Sequence, residues 1–175
     1  MLLDLTEVLS RDDQILEKTV SLEMEEFRIR TGRFPVIRKS PLELKVVNTK
    51  DRVLDIAGHT ELTVLIPCAR CLTPVERTFD LDIERRVDMK LSPWEREEAL
   101  EETVFIEGNA LDPEILVHNE LLVQWPIRVL CKEDCKGICS RCGANLNEGA
   151  CGCDTAELDP RMAAIRDIFS KFKEV

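Results

Sequence analysis

Six of the chain's eight cysteines fall between Cys131 and Cys153, a span of 23 residues inside the string "CKEDCKGICSRCGANLNEGACGCD". No other feature restricts the fold so narrowly. At 175 residues the chain can bury a core of its own, so the cysteines are not required as staples for a fold to exist. Met1-Leu2-Leu3 is followed at once by Asp4 and Glu7, without the cationic segment or apolar run of an export signal. No apolar stretch approaches the ~20 residues of a membrane span. The expectation is a cytoplasmic protein with no membrane partner, and in a reducing compartment clustered cysteines serve as metal ligands or redox thiols more often than as disulfides.

Cys139-Ser140-Arg141-Cys142-Gly143 reads as a metal knuckle. Two intervening residues let both thiolates meet one tetrahedral ion, and the glycine tolerates the tight turn that aims amide N–H groups at sulfur. Cys151-Gly152-Cys153 follows after a loop rich in Asn145, Asn147 and Gly149, as a clasped hairpin needs. The first predicted site is therefore Cys139, Cys142, Cys151 and Cys153 around Zn2+. Cys68 and Cys71, at the end of a predicted strand, and Cys131 and Cys135 remain. These four could form a second site joining the sheet to the C-terminal module, or Cys131 and Cys135 could instead join Cys139 and Cys142. Spacing alone leaves that partition open. A dithiol redox centre at Cys68 and Cys71 competes, but Pro67 and Pro74 bracket the pair as a turn, without the strand-to-helix start that lowers a thiol pKa. The spacings do not match ferredoxin patterns, which favours zinc, although the same ligands could hold iron.

Strands come first along the chain and helices later. Val20, Leu22, Met24, Phe27 and Ile29 alternate with a slip at Glu25-Glu26, which predicts one strand with a bulge over Thr19–Ile29. Leu42, Leu44 and Val46 predict a second strand and Leu62, Val64 and Ile66 a third. Phe79 to Met89 predicts the clearest one, broken only by Arg85 in its apolar row. Turns are expected at Thr31-Gly32, Asn48 to Asp51 and Gly58-His59. Pro93 to Glu102 reads as an acidic loop or short exposed helix. Asp112-Pro113 starts a helix over about 112–125, and Asp159-Pro160 starts a C-terminal helix with an apolar stripe of Met162, Ile165, Phe169 and Phe172. The predicted fold class is α+β, with an N-terminal antiparallel sheet or small open β-barrel followed by helices and a Cys-rich, zinc-ribbon-like module. The boundary is placed between a β-rich domain, 1–126, and a zinc-binding module with its helix, 127–175.

The net charge of −10 argues against a surface that coats nucleic acid generally. Its distribution is uneven. Phe27 to Arg52 carries eight basic residues against two acids, a local +6, and Arg28, Arg30, Arg33, Arg38 and Lys39 are the candidate RNA contacts. Glu76 to Glu107 has the reverse balance, eleven acids against five bases, which suits a basic partner. There is no phosphate-cradling glycine loop and no G-x-S-x-G elbow; His59 is expected in a turn and His118 at the core edge, so no catalytic residue is assigned.

The pair in "CARCLTPVERTFDLDIE", the cysteine string and the following "DPRMAAIRDIFSKF" together resemble the bacterial YceD family, the large ribosomal RNA subunit accumulation proteins. Cys68 and Cys71 match that family's central pair, and Cys131, Cys135, Cys139, Cys142, Cys151 and Cys153 match its C-terminal motif. The resemblance implies a non-enzymatic ribosome biogenesis factor needed for accumulation or processing of 23S ribosomal RNA. It would bind ribosomal RNA or its precursor, or a large-subunit ribosomal protein, and no small-molecule substrate. An acidic chaperone for a basic large-subunit ribosomal protein and a zinc/thiol redox protein are the alternative readings.

Overall fold

The computed structural model describes residues 2–98 and 103–153; the helix expected from Asp159-Pro160 lies outside them. A short strand β1 (Leu3–Asp4) and a single turn α1 (Thr6–Leu9) lead into β2 (Ile15–Val20), β3 (Glu26–Ile29), β4 (Gly32–Lys39), β5 (Leu42–Asn48), β6 (Val53–Pro67) and β7 (Pro74–Asp88). Helix α2 (Pro93–Glu98), strands β8 (Ile106–Glu107) and β9 (Ala110–Leu111) and helix α3 (Pro113–Val123) follow. All named strand pairs are antiparallel. The described residues are thus mostly antiparallel sheet with few helices, and no helix among them is long and apolar enough to cross a membrane.

The frame is the β6–β7 hairpin, in unbroken register from Val53↔Asp88 to Pro67↔Pro74. Fifteen residues per strand at ~3.3 Å each make it roughly 50 Å long. Its period-two pattern explains the length: Leu54, Ile56, Leu62, Val64 and Ile66 on one strand and Phe79, Leu81, Ile83 and Val87 on the other are buried, while charged residues alternate outward. The free edge of β6 is divided. Its first half pairs with β5, which carries β2, and its second half pairs with β4, which carries β3. At the fork Ser40 N–H donates to Glu61 O at 2.9 Å and Glu61 N–H to Ser40 Oγ at 2.7 Å, beside the fully buried Thr60.

This fork overturns two expectations. The segment Thr19–Ile29 is not one bulged strand: β2 ends at Val20 on one prong and β3 begins at Glu26 on the other. The intervening residues cross between prongs, with Glu25 O accepting Val36 N–H at 2.9 Å and Met24 O accepting Lys39 Nζ at 3.1 Å. Alternation alone does not register a change of partner. Gly58-His59 is likewise no turn but the middle of β6, paired with Leu44 and Glu43 on one side and Ile83 and Asp82 on the other. A Cβ at Gly58 would meet Glu43 O and Leu42 Cδ1 at 3.3 Å, so the glycine marks a close backbone approach inside the strand.

Helix α3 starts as the sequence predicts. Asp112 Oδ1 accepts Glu114 N–H at 2.9 Å and Ile115 N–H at 3.3 Å, and Pro113 occupies the first turn. Leu116, Val117 and Leu121 bury against the sheet, whereas Leu122 and Val123 face out. Arg85, the break in the apolar row of β7, is explained by this helix: its Nη2 donates to Glu120 Oε2 at 2.6 Å. Just beyond the helix, Trp125 packs on Phe27 and Phe34 at 4.7 Å and on Phe79 at 5.7 Å, fixing the β3–β4 hairpin and the chain that leaves α3.

Glu120 is 8 % exposed, so losing its carboxylate strands a half-buried guanidinium. We expect Glu120→Ala to cost about 2–3 kcal/mol in urea unfolding, and Glu120→Leu combined with Arg85→Met to recover most of that loss. Equal midpoints for wild type and Glu120→Ala would contradict the role assigned to the pair.

Candidate metal centre

The six-residue turn that closes the β6–β7 hairpin is itself the Cys68-Ala69-Arg70-Cys71 knuckle, tightened by Leu72 N–H donating to Cys68 O at 2.9 Å and Cys68 N–H to Thr73 O at 2.8 Å. The chain released by Trp125 returns to this turn. Ala69 N–H donates to Val129 O at 2.8 Å and Arg70 Nη1 to Cys135 O at 2.8 Å, which brings Cys131 and Cys135 to the knuckle. The Sγ atoms of Cys68, Cys71, Cys131 and Cys135 lie within 4.8 Å of one another, with Cys68–Cys135 at 3.8 Å and Cys71–Cys131 at 3.5 Å. A tetrahedral ion with ~2.3 Å bonds to sulfur requires S···S separations of about 3.8 Å.

A second set forms at the end of the described chain. Cys139, Cys142, Cys151 and Cys153 also place their Sγ atoms within 4.8 Å. Gly143, at φ +74°, supplies the turn after the knuckle, and its N–H donates to Cys139 O at 2.9 Å. All eight thiols are unpaired. Of the groupings left open by spacing, the geometry brings together Cys131 and Cys135 with the hairpin tip rather than with Cys139 and Cys142.

The sulfurs sit in unequal surroundings. The Cys71 N–H aimed at Cys68 lowers that thiol to about 6, outweighing its burial, with the Arg70 and Cys131 N–H groups adding to the effect. Thr73, through its hydroxyl and N–H, lowers Cys71. Cys139 falls to about 6 for the same reason, the Cys142 and Arg141 N–H groups of its knuckle. Cys131 is pushed up to about 12 chiefly by sharing a hydrogen bond with Cys71, and Cys153 to about 12 by Cys142 and then Cys151. Each set therefore holds protons that a divalent cation must displace.

Two residues that composition and spacing did not single out complete the centre. Asn147 Nδ2 donates to Cys135 Sγ at 3.3 Å, and Trp125 anchors the segment that delivers Cys131 and Cys135. In sequence Asn147 reads as a loop former, with the Asn-x-Asn of "GANLN" its signal, and Trp125 carries none beyond its size.

The candidate RNA contacts are all exposed but not all free. Arg28 pairs with Glu26, Arg38 Nη2 lies 2.5 Å from Glu76 Oε2, and Lys39 is bound to Met24 O. Arg30 and Arg33 have no acidic partner among the described residues. The outer face of the β2–β5–β6–β7 prong is rich in acids: its cross-strand rows read Thr19–Glu43–His59–Asp82 and Glu17–Lys45–Ala57–Glu84, and they line a shallow groove of about 640 Å³. His59 Nδ1 is 2.9 Å from Asp82 Oδ1 and 3.5 Å from Asp80 Oδ1, and its pKa is raised by the hydrogen bond to Asp82 and the nearby acids. His118 Nε2 instead rests 2.9 Å from Arg28 O, its ring 4.8 Å from Phe27.

Residues 56–169 match the model of the family described as large ribosomal RNA subunit accumulation protein YceD. The chain belongs to the YceD family. Both cysteine sets lie within the matched residues, whereas β2 to β5 precede them. Curated relatives include an uncharacterized protein of Mycobacterium tuberculosis strain H37Rv, 25 % identical over 71 % of this chain and 59 % of its own length. An uncharacterized protein of Mycobacterium leprae is 23 % identical over 74 % of this chain and 58 % of its own. The chain thus spans about three-fifths of the curated relatives it matches. No solved structure matches.

Because Cys131 and Cys153 keep their protons without a cation, adding Zn2+ to the metal-free protein at pH 7 should release at least about one proton per ion bound. Affinity should weaken as pH falls. Binding with no proton release in weakly buffered solution would contradict the thiolate assignment.

Proposed function

We propose that this chain is a non-enzymatic ribosome biogenesis factor that holds two Zn2+ ions for architecture and acts by docking a basic large-subunit ribosomal protein on its acidic sheet face. Large-subunit ribosomal RNA would then accumulate because that protein is kept available for assembly. All-thiolate donor sets without an imidazole or carboxylate suit structural zinc, which leaves no coordination position open for a substrate. Membership of every cysteine in one of the two sets argues against a redox or nucleophilic thiol, and neither histidine stands among a thiol's hydrogen-bond partners.

The observation that carries the docking reading is the outer prong face. Glu43 and Glu84 flank His59 and Asp82 across three strands, all side chains are solvent-exposed, and Glu61 and Asp80 extend the same face along the hairpin. Such a surface raises the encounter rate with a cationic segment and loses strength with salt. In pull-downs at moderate salt with the full chain as bait, a basic large-subunit ribosomal protein should be recovered. Glu43→Lys with Glu84→Lys should reduce recovery at least about ten-fold, since each close charge reversal is worth a kcal/mol or more. Recovery of no basic ribosomal protein by the wild type sinks this reading.

Direct RNA contact is a second reading, carried by Arg30 in the two-residue β3–β4 turn and Arg33 beside it on β4, both exposed and without an acidic partner among the described residues. Arg30→Glu with Arg33→Glu should abolish crosslinking to ribosomal RNA in cells. Unchanged crosslinking rules out that contact.

A further inference from the structure

The two cysteine sets share one short ladder of backbone. Residues 135–139 run antiparallel to residues 144–147: Cys139 N–H donates to Ala144 O at 2.8 Å, Leu146 N–H donates to Gly137 O at 2.9 Å, and Ile138 bridges with Asn145. A member of each set, Cys135 and Cys139, therefore lies on the same five-residue stretch. Where the ladder would continue, a side chain takes over. Asn147 Oδ1 accepts Lys136 N–H at 2.9 Å, and Asn147 Nδ2 donates both to Cys135 Sγ at 3.3 Å and to Asn145 Oδ1 at 2.8 Å.

The carboxamide can adopt only this orientation, because a flip would set its oxygen against Asn145 Oδ1 and its amide against the Lys136 N–H. Asn145 is held in turn, accepting Asn147 N–H at 3.1 Å and donating to Glu148 Oε1 at 2.9 Å. Asn147 thus meets the sulfur of the hairpin-tip set as a pre-oriented donor. It is carried by the loop between Cys142 and Cys151, whose two ends are both ligands of the other set. Closing that set fixes the loop.

We propose that Asn147 couples the two centres: an ion held by Cys139, Cys142, Cys151 and Cys153 raises the affinity of Cys68, Cys71, Cys131 and Cys135 for their own, and the reverse. This rests on the reading that both sets hold metal. Four thiolates around a divalent cation leave a net −2, and Cys135, at 3 % exposure, is poorly placed to have that charge dispersed by water. The Asn147 N–H supplies the dispersal. Linkage requires the effect to be equal in both directions.

The test uses the full chain loaded with 113Cd2+, reading each site's resonance and its affinity against a competing chelator. Disabling the module set with Cys151→Ser and Cys153→Ser should lower the affinity of the hairpin-tip set about ten-fold, the lower end of what an outer hydrogen-bond partner contributes. In an Asn147→Ala background the same pair should change it by less than about two-fold, since the coupling is already gone. Asn147→Asp keeps the acceptor for Lys136 but turns an oxygen toward Cys135 Sγ; it should shift the hairpin-tip resonance while leaving the module resonance in place, an effect that a purely structural role does not produce. A ten-fold drop that persists without Asn147, or a hairpin-tip resonance unmoved by Asn147→Asp, overturns the coupling alone. A single cadmium resonance from the wild type overturns the two-metal reading together with it.

Discussion

Four sulfurs held within 4.8 Å of one another cannot all ionise in the absence of a cation, because each thiolate raises the cost of the next. The surroundings of Cys68 and Cys131 express that conflict: one thiol is lowered to about 6 by N–H groups aimed at it, and the other is pushed to about 12. A divalent ion resolves it. The consequence reaches far beyond the ligands, since the knuckle is also the turn of a fifteen-residue hairpin around which every larger strand is arranged. Cys131 and Cys135, which complete this set, lie 60 or more residues further along the chain, so one bound ion would close a very long loop as well as a short turn.

That closure explains the order of the remaining packing. Trp125 lies between Phe27, Phe34 and Phe79, holding the β3–β4 prong and the exit of α3 at once. From there the chain has only Pro126 to Leu130 in which to reach the knuckle, and the Ala69–Val129 hydrogen bond guides it there. Arg85 and Glu120 fix the same helix to β7 at a polar point inside an otherwise apolar contact, which selects one seating of the helix on the sheet. The prongs, by contrast, are open on their outer faces. Their charges are set by the alternation that fills the core, with every second residue of β5, β6 and β7 free to be acidic.

Much of this was legible in the residues because it is local. Period-two alternation located β5 and β7, and Asp112-Pro113 located the start of α3, since a cap and a fixed φ act within one turn. What local pattern does not carry is the choice of partner. Leu22 and Met24 continue the alternation of β2 after the chain has left its pairing with β5, and Gly58 looks like a turn when nothing indicates that it sits mid-strand between two paired neighbours. The cysteine spacing was informative about each knuckle but silent on how the knuckles divide, because Cys135 is as near in sequence to Cys139 as to Cys131. Only the returning segment, set by Trp125, directs it to the hairpin tip. Asn147 is silent in the sequence for the same reason: its contact is with a sulfur twelve residues away, and a loop-forming asparagine and a donor to a thiol look alike in sequence.

The cysteine sets and the charged surface thus occupy separate parts of this YceD family chain. An ion at the hairpin tip would give the long hairpin and its returning segment one arrangement, whereas the charged prong faces stand apart from both cysteine sets. The number of ions per chain tests this account most directly. Native mass spectrometry of the zinc-reconstituted full chain should give a mass two zinc ions above that of the chelator-treated protein. Saturation at one ion, or binding of none, would contradict the claim that two four-thiolate centres organise this end of the molecule.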